Sequence, residues 1–157
     1  MKQELEKQLV ENYPAIFREH GGEISETPMA FGIQHGDGWY DILDALCYEI
    51  QNEVDWANRN RPDTKFRCVA EQVKEKYGTL RFYVRYEFDP DILPHDMDRL
   101  RNSMDKIGGM ISMAERMSAR VCEVCGIPSR IDYTASVFPR NECDACHTLR
   151  HDADNRE

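Results

Sequence analysis

Apolar residues recur at helical spacing in three segments, and each segment predicts an amphipathic helix. The first covers residues 2–19, where Pro14 should kink the helix or divide it into two pieces. The second begins at Trp39, with Asp37 in the position of a helix N-cap. The third covers residues 96–118. The apolar stripe of the second helix consists of Trp39, Leu43, Leu46, Cys47, Ile50, Val54 and Ala57.

Some residues on these helices allow two interpretations. Cys47 lies on the apolar stripe, so we interpret it as a core residue and not as a ligand. Gly108 and Gly109 weaken the third helix by about 1 kcal/mol each relative to alanine, and they predict a close helix crossing or a break. The apolar face of the third helix is rich in methionine and is interpreted as core, with an adaptable groove for a partner as the alternative. It consists of Met97, Leu100, Met104, Ile107, Ile111, Ala114 and Met117.

Residues 65–87 predict a β-hairpin that turns near residues 76–79. In the second arm, apolar and polar residues alternate with the period of a half-buried strand. The apolar set is Leu80, Phe82, Val84 and Tyr86, and the set between them is Arg81, Tyr83 and Arg85. The first arm is ambiguous, because its stretch AEQVKEKY also contains good helix formers.

Two cysteine pairs near the end of the chain carry the most specific signal. Their spacing is Cys-x2-Cys-x17-Cys-x2-Cys, which is typical of structural zinc sites. Two residues between thiolates allow a tight turn to present both sulfurs to one ion, and Gly126 suits the first turn. The predicted Zn²⁺ ligands are Cys122, Cys125, Cys143 and Cys146.

The second pair also allows interpretations other than zinc binding. The stretch CDACH has the spacing for covalent haem attachment, but that chemistry requires export and no secretory signal is visible. A thioredoxin-like pair would need a βαβ setting, which the pattern lacks. His147 follows Cys143 by four residues on a predicted final helix, so it is an alternative fourth ligand to Cys146.

Helices, hairpin and cysteine tail together predict an α+β fold. We expect helices to pack on a small antiparallel hairpin or sheet, with a C-terminal tail that resembles a zinc ribbon or knuckle. The predicted division is a core over residues 1–120 and a zinc-binding tail over residues 121–157, packed on the core as one structural unit.

The segment QHGDGWYD is the candidate for a pocket outside the metal site. His35 and Asp37 can exchange protons, and the glycines on either side of Asp37 permit unusual backbone angles. A ligand pocket at His35, Asp37 and Trp39 is one interpretation. The other is structural: the glycines make a turn, Asp37 caps the helix and Trp39 anchors it.

Charge is strongly segregated along a chain whose net charge is −9. Residues 1–60 carry twelve acidic and four basic side chains, whereas residues 61–86 carry three acidic and seven basic ones. An acidic protein repels phosphate backbones, which disfavours general nucleic-acid binding. The hairpin face with Arg81, Tyr83 and Arg85 keeps a local nucleic-acid contact open, since it mixes cations with an aromatic ring, and the alternative is an ordinary solvated strand face. The acidic faces suggest the opposite kind of partner, a basic protein surface.

No signal peptide or membrane span is visible in the sequence, which predicts a soluble, cytoplasmic protein with no membrane partner. In a reducing compartment, six cysteines indicate metal binding or buried thiols before disulfides. No Ser-His-Asp set, phosphate-cradling loop or pair of catalytic carboxylates stands out. The sequence therefore predicts a protein that is not an enzyme.

Several stretches in order resemble a group of small proteins encoded by bacteriophages and prophages: GDGWYDILDALCYEI, VKEKYGTLRFYV, SARVCEVCG and then a second cysteine pair. The resemblance covers about residues 35–150 and implies zinc ligands at the four tail cysteines. In members of the group the second pair of ligands is Cys-x-x-His, and a Gly-Trp segment precedes it. This chain instead reads SVFPRNECDACH at the same place. That departure keeps the choice between Cys146 and His147 open.

The resemblance implies a non-catalytic accessory protein that acts in the host cytoplasm by binding a host or phage protein. Inhibition of a bacterial defence system such as a CRISPR effector is the role it suggests. Two alternatives remain: a nucleic-acid-binding regulatory factor that uses the basic hairpin and the zinc tail, and a small-ligand-binding protein or enzyme with its pocket at the HGDGW segment.

Overall fold

The structure is a computed structural model that describes residues 1–59, 65–90, 94–131 and 139–154. Within these residues it has four α-helices, two short 3-10 helices and a three-stranded sheet, which confirms the α+β prediction. The helices are α1 (Gln3–Asn12), α2 (Tyr40–Arg59), α3 (Pro94–Ser118) and α4 (Asp144–Asp154), and the 3-10 helices are Pro28–Phe31 and Asp37–Trp39. The strands are β1 (Ile33–Gln34), β2 (Phe66–Lys76) and β3 (Thr79–Phe88).

The predicted hairpin forms the larger part of the sheet. β2 pairs antiparallel with β3, and the two-residue turn between them has positive φ at both Tyr77 and Gly78, the geometry of a type I′ turn. The first arm, ambiguous in the sequence, is a strand throughout because each of its ends pairs with β3. β1 adds to the free edge of β2 in parallel, with Ile33 opposite Val73.

α2 confirms the predicted apolar stripe, since every residue of that stripe is buried, from Trp39 to Ala57. One face of α2 packs against β2 and α3, and α3 also packs against β3. Cys47 lies fully inside this core, and Cys68 on β2 is also buried. Burial raises the pKa of both thiols, that of Cys68 to about 12, so both are core residues and not ligands.

The first helix is shorter than predicted. α1 ends at Asn12, and Tyr13 leaves the helical region with φ −127° and ψ 57°. The residue before a proline is disfavoured in helical conformation, so Pro14 ends the helix without beginning a second one. Ile16 and Phe17 are nevertheless buried, and the Ile16 carbonyl accepts a hydrogen bond from the Ala70 amide beside a bulge in β2.

Two further expectations for the helices are wrong. Asp37 makes no capping hydrogen bond with its side chain, because a 3-10 turn with Gly36 at its N-cap precedes α2. α3 runs unbroken through Gly108 and Gly109, and a Cβ added at either glycine would meet nothing within 4 Å in the described part of the chain, so no described element crosses there. The methionine stripe is core only in part, since Met117 is 49% exposed.

Candidate metal centre

The four tail cysteines form one cluster. The Sγ atoms of Cys122, Cys125, Cys143 and Cys146 all lie within 4.8 Å of one another. Cys125 Sγ and Cys143 Sγ are 3.7 Å apart, which is close to the edge of about 3.8 Å in a tetrahedron with metal–sulfur bonds of about 2.3 Å. All four thiols are free, and 3.7 Å is far longer than a disulfide bond. The donor set therefore fits a metal ion held by four thiolates.

The first cysteine pair lies in a tight turn directly after α3. The Gly126 amide donates to the Cys122 carbonyl at 2.9 Å, and Gly126 has φ +78°, a conformation that favours glycine. The Cys122 amide donates to the Ile127 carbonyl at 2.8 Å, and Val121 pairs with Pro128 in an antiparallel bridge. We call residues 121–128 the first knuckle.

The second pair is carried by the start of α4. The Cys143 carbonyl accepts a hydrogen bond from the His147 amide at 2.9 Å, which places Cys143 at the N-cap and Cys146 in the first turn. The amide dipoles of a helix N-terminus favour negative charge, so this position suits thiolates. Residues 132–138, between the two pairs, lie outside the described residues.

The cluster favours ionisation at one sulfur and opposes it at another. Burial opposes ionisation of Cys122, but backbone amides of Cys143, Cys125 and Val124 outweigh it and lower the pKa to about 7. The Cys143 amide reaches Cys122 Sγ at 3.3 Å. Burial and hydrogen bonds from neighbouring thiols raise the pKa of Cys146 instead. A cation at the centre would favour the thiolate form of all four sulfurs, because a coordinating thiol is deprotonated by the metal.

His147, the alternative fourth ligand, is not part of this cluster. Its side chain is exposed on α4, whereas Cys146 contributes the fourth sulfur. The geometry of the described residues therefore favours the four-cysteine set over a set with three cysteines and a histidine.

The first knuckle packs on the HGDGW segment, residues 35–39, which we call the glycine seat. The Gly38 amide donates to the Glu123 carbonyl at 2.7 Å, and the Gly36 amide donates to Glu123 Oε1 at 3.0 Å. The Trp39 indole donates from Nε1 to the Val121 carbonyl at 2.9 Å. Three donors before α2 thus hold the backbone and one side chain of the knuckle.

The two glycines of this seat have a steric role. A Cβ at Gly36 would lie 2.3 Å from the Glu123 carbonyl oxygen. A Cβ at Gly38 would lie 2.1 Å from the Cys122 carbonyl oxygen and 2.5 Å from the Gly126 amide nitrogen. Real Cβ atoms do not approach backbone this closely, so the knuckle can rest here only because both residues are glycine.

The three residues of the predicted ligand pocket make contacts within the protein, either in the glycine seat or with the N-terminal residues. Trp39 is fully buried and His35 is 6% exposed, so a ligand could reach them only by displacing what covers them. His35 Nδ1 bonds to the Gly36 carbonyl at 2.8 Å, and burial lowers the pKa of His35 to about 4. Asp37 accepts from the Lys2 amide at 2.6 Å and pairs with Lys2 Nζ at 3.1 Å. This arrangement favours the structural interpretation of the segment, except that Asp37 binds Lys2 and does not cap α2.

Asn141 is a positioning residue that the sequence did not indicate. It is fully buried and its side chain donates to the Ser118 carbonyl at the end of α3, at 2.7 Å. Its carbonyl accepts from the Glu123 amide at 2.7 Å, and its side chain also accepts from Ser129. Asn141 therefore joins α3, the first knuckle and the approach to the second pair. Only its position two residues before Cys143 could have drawn attention to it.

The hairpin arginines are engaged with carboxylates. Arg85 binds Glu19 through both terminal nitrogens, one of them at 3.0 Å, and its Nε donates to Glu87 at 3.1 Å. The hydrogen bond from Arg85 lowers the pKa of Glu19. Arg85 is thus neutralised within the protein and is a poor phosphate ligand.

Arg81 and Tyr83 are separate from that network. Arg81 Nη1 bonds to Thr79 Oγ1 at 2.6 Å and lies 4.0 Å from a Glu115 oxygen. Tyr83 is 43% exposed, with Lys74 Nζ 5.6 Å from the centre of its ring. The three residues of the predicted nucleic-acid face are therefore present on one strand but do not form a continuous unpaired cationic surface.

Comparison of the chain with protein-family models, with curated proteins and with solved structures finds no match in any of the three. Among the described residues, no helix combines the length and the apolar character needed to cross a bilayer. The function must therefore be inferred from the cysteine cluster, its seat and the exposed surfaces.

Proposed function

We propose that the cluster binds one Zn²⁺ ion and that the ion has a structural role. The observation that carries this proposal is the set of four sulfurs at spacings close to those of a zinc tetrathiolate. Cys122, Cys125, Cys143 and Cys146 would fill all four positions around the ion. A zinc ion with four protein ligands has no open position for water or substrate, so the site would not be catalytic.

The work of the ion would be to hold the tail against the core. The described part of the tail contributes few buried apolar side chains of its own, and Val124 and Ile127 are each 49% exposed. Structural zinc contributes on the order of 10 kcal/mol of apparent binding free energy in small peptides, which is enough to order such a segment. Under this proposal, zinc and the glycine seat act together, one from each side of the first knuckle.

We further propose that the protein is a non-catalytic binding protein whose partner is another protein. Support comes from exposed apolar side chains at the end of α3 and on the knuckle, together with the strong segregation of charge. A cytoplasmic location is part of the proposal, since a reducing compartment keeps four thiols available for a metal. Origin in a phage or prophage, and action on a defence system such as a CRISPR effector, rest on the resemblance alone.

The two alternatives have weaker support. A nucleic-acid contact through the hairpin would have to break the bonds of Arg85 with Glu19 and Glu87. A ligand site at His35 and Trp39 would have to displace the groups that bury them.

The proposal is tested by metal analysis combined with affinity capture. The purified protein should contain one zinc per chain, and the double variant Cys122→Ser/Cys143→Ser should contain none. The tagged wild-type protein should recover a specific protein partner from bacterial lysates, including lysates of strains with CRISPR systems. Recovery of no specific protein by a zinc-loaded, folded chain would contradict the binding function, and a folded chain without metal would contradict the zinc site.

A further inference from the structure

A groove rich in arginine lies where α3, the start of β3 and the segment after the first knuckle meet. Two cavities of about 860 and 590 Å³ adjoin here and share Ala119 and Arg120 in their walls. The described residues of these walls include four arginines and one carboxylate. The arginines are Arg81, Arg116, Arg120 and Arg130, and the carboxylate is Glu115. A cationic groove of this kind is unexpected on a chain with a net charge of −9.

Three of these arginines pair with no carboxylate of the described residues. Arg116, Arg120 and Arg130 are exposed, and among the described residues no carboxylate oxygen lies within 4.0 Å of their guanidinium groups. Arg85 on the hairpin shows the opposite arrangement, since it is surrounded by glutamates. The three arginines without a carboxylate partner among the described residues therefore lie close together along one groove.

The segment after the knuckle completes the groove. The Ser129 amide donates to the Arg120 carbonyl at 3.0 Å, which brings Arg130 alongside the end of α3. Ile131 packs against the hairpin turn, where a Cβ added at Gly78 would lie 3.0 Å from its side chain. The groove therefore joins the core to the part of the tail between the two cysteine pairs.

Apolar side chains line the same groove. Met113 is 60% exposed and Met117 is 49% exposed, and residues four apart on a helix lie side by side. Methionine is flexible and polarisable, and it is common at surfaces that accept apolar side chains of a peptide. The described lining contains no aromatic ring on which a nucleic-acid base could stack, which distinguishes the groove from single-strand binding surfaces.

We infer that this groove binds an acidic segment of a partner protein, with carboxylates paired to Arg116, Arg120 and Arg130 and apolar side chains placed on Met113 and Met117. The arginines favour an acidic partner because opposite charges attract. The exposed methionines favour a polypeptide over a nucleic acid because they can contact apolar side chains. The inference rests on the proposed protein-binding function and names the chemistry of the partner.

The direct test is fluorescence anisotropy with the full-length, zinc-loaded protein. The probe is a fluorescein-labelled helical peptide with glutamate on one face and leucine on the other. We expect binding that weakens as salt is raised, and that falls by about tenfold or more in Arg116→Glu/Arg120→Glu. The matched control Arg101→Glu changes an exposed arginine on the same helix, about 22 Å from Arg116, and should bind as the wild type does.

Three outcomes of the anisotropy experiment would overturn the inference. They are no binding of the glutamate peptide, equal binding of a peptide with glutamine in place of glutamate, and tighter binding of a fluorescein-labelled oligothymidylate than of the peptide. Affinity capture separates this inference from the general function. A partner recovered equally by the wild type and by Arg116→Glu/Arg120→Glu would refute the groove and keep the binding function. Loss of the partner in that variant, with retention in Arg101→Glu, would support the groove.

Discussion

Substitution of Gly38 by alanine should displace the first knuckle from the glycine seat. The added Cβ would lie 2.1 Å from the Cys122 carbonyl oxygen and 2.5 Å from the Gly126 amide nitrogen. Both are backbone atoms of the turn that holds the first cysteine pair, so no side-chain rotation can relieve the clash. The knuckle would have to retreat by about 1.3 Å to reach an ordinary contact distance of 3.4 Å or more from the Cys122 oxygen.

The cost follows from what that movement breaks. The hydrogen bond from the Gly38 amide to Glu123 is 2.7 Å long, and the bond from Trp39 to Val121 is 2.9 Å long. Each contributes about 0.5–1.5 kcal/mol, and overpacking costs about 1–3 kcal/mol. Because the knuckle can release part of the strain by undocking, we expect the free energy of unfolding to fall by about 2–4 kcal/mol.

Urea unfolding followed by tryptophan fluorescence measures this change, since Trp39 is buried beneath the knuckle. Zinc release to a chelator should also be faster in Gly38→Ala. The matched control is Gly108→Ala, whose Cβ would meet nothing within 4 Å on an exposed part of α3 and should stabilise the protein by about 0.5–1 kcal/mol. A Gly38→Ala protein with the urea midpoint and zinc release rate of the wild type would refute the seat.

Three further predictions concern single side chains. Asn141→Ala removes the side-chain hydrogen bonds to the Ser118 carbonyl and from Ser129, each of which contributes about 0.5–1.5 kcal/mol, and should lower the free energy of unfolding by about 1–3 kcal/mol in urea titrations; an unchanged midpoint would contradict its positioning role. Cys146→Ser should weaken zinc binding by more than about a hundredfold in chelator competition, whereas His147→Ala should not change it; the reverse result would assign the fourth ligand to the histidine. His35 has a folded pKa of about 4, below its ordinary value of 6.5, because it is buried, with the Met1 amino group also lowering the pKa and Glu6 and Asp37 opposing this. The unfolded chain therefore binds the proton more readily, and stability should fall by up to about 3 kcal/mol as the pH decreases from 6.5 to 4. His35→Phe should remove that part of the pH dependence, and an identical pH profile in the variant would contradict it.

Sequence patterns that depend on neighbours along the chain predicted the structure well. The stripe of α2 has a strict helical period and one buried face, so it identified every core residue of that helix. The cysteine spacing identified four residues whose sulfurs lie together, because each pair forms a local turn or helix start.

Features that depend on distant contacts could not be predicted in this way. Gly36 and Glu123 are 87 residues apart in the chain, so nothing local to HGDGW shows that a knuckle rests on it. An acidic residue between two glycines has the same pattern in a ligand loop and in a docking seat. The first arm of the hairpin was ambiguous for a related reason, since its helix formers are overridden by pairing with β3.

The central claim is that four cysteines hold one zinc ion and thereby keep the tail on the core. Native mass spectrometry of the purified full-length protein tests it most directly, because it measures the bound metal and the state of the thiols together. The claim requires a mass increase corresponding to one Zn²⁺ with loss of the thiol protons it displaces, and absence of that increase in the Cys122→Ser/Cys143→Ser variant. A folded wild-type protein at the metal-free mass after incubation with zinc, or one with a disulfide between the two pairs, would contradict it.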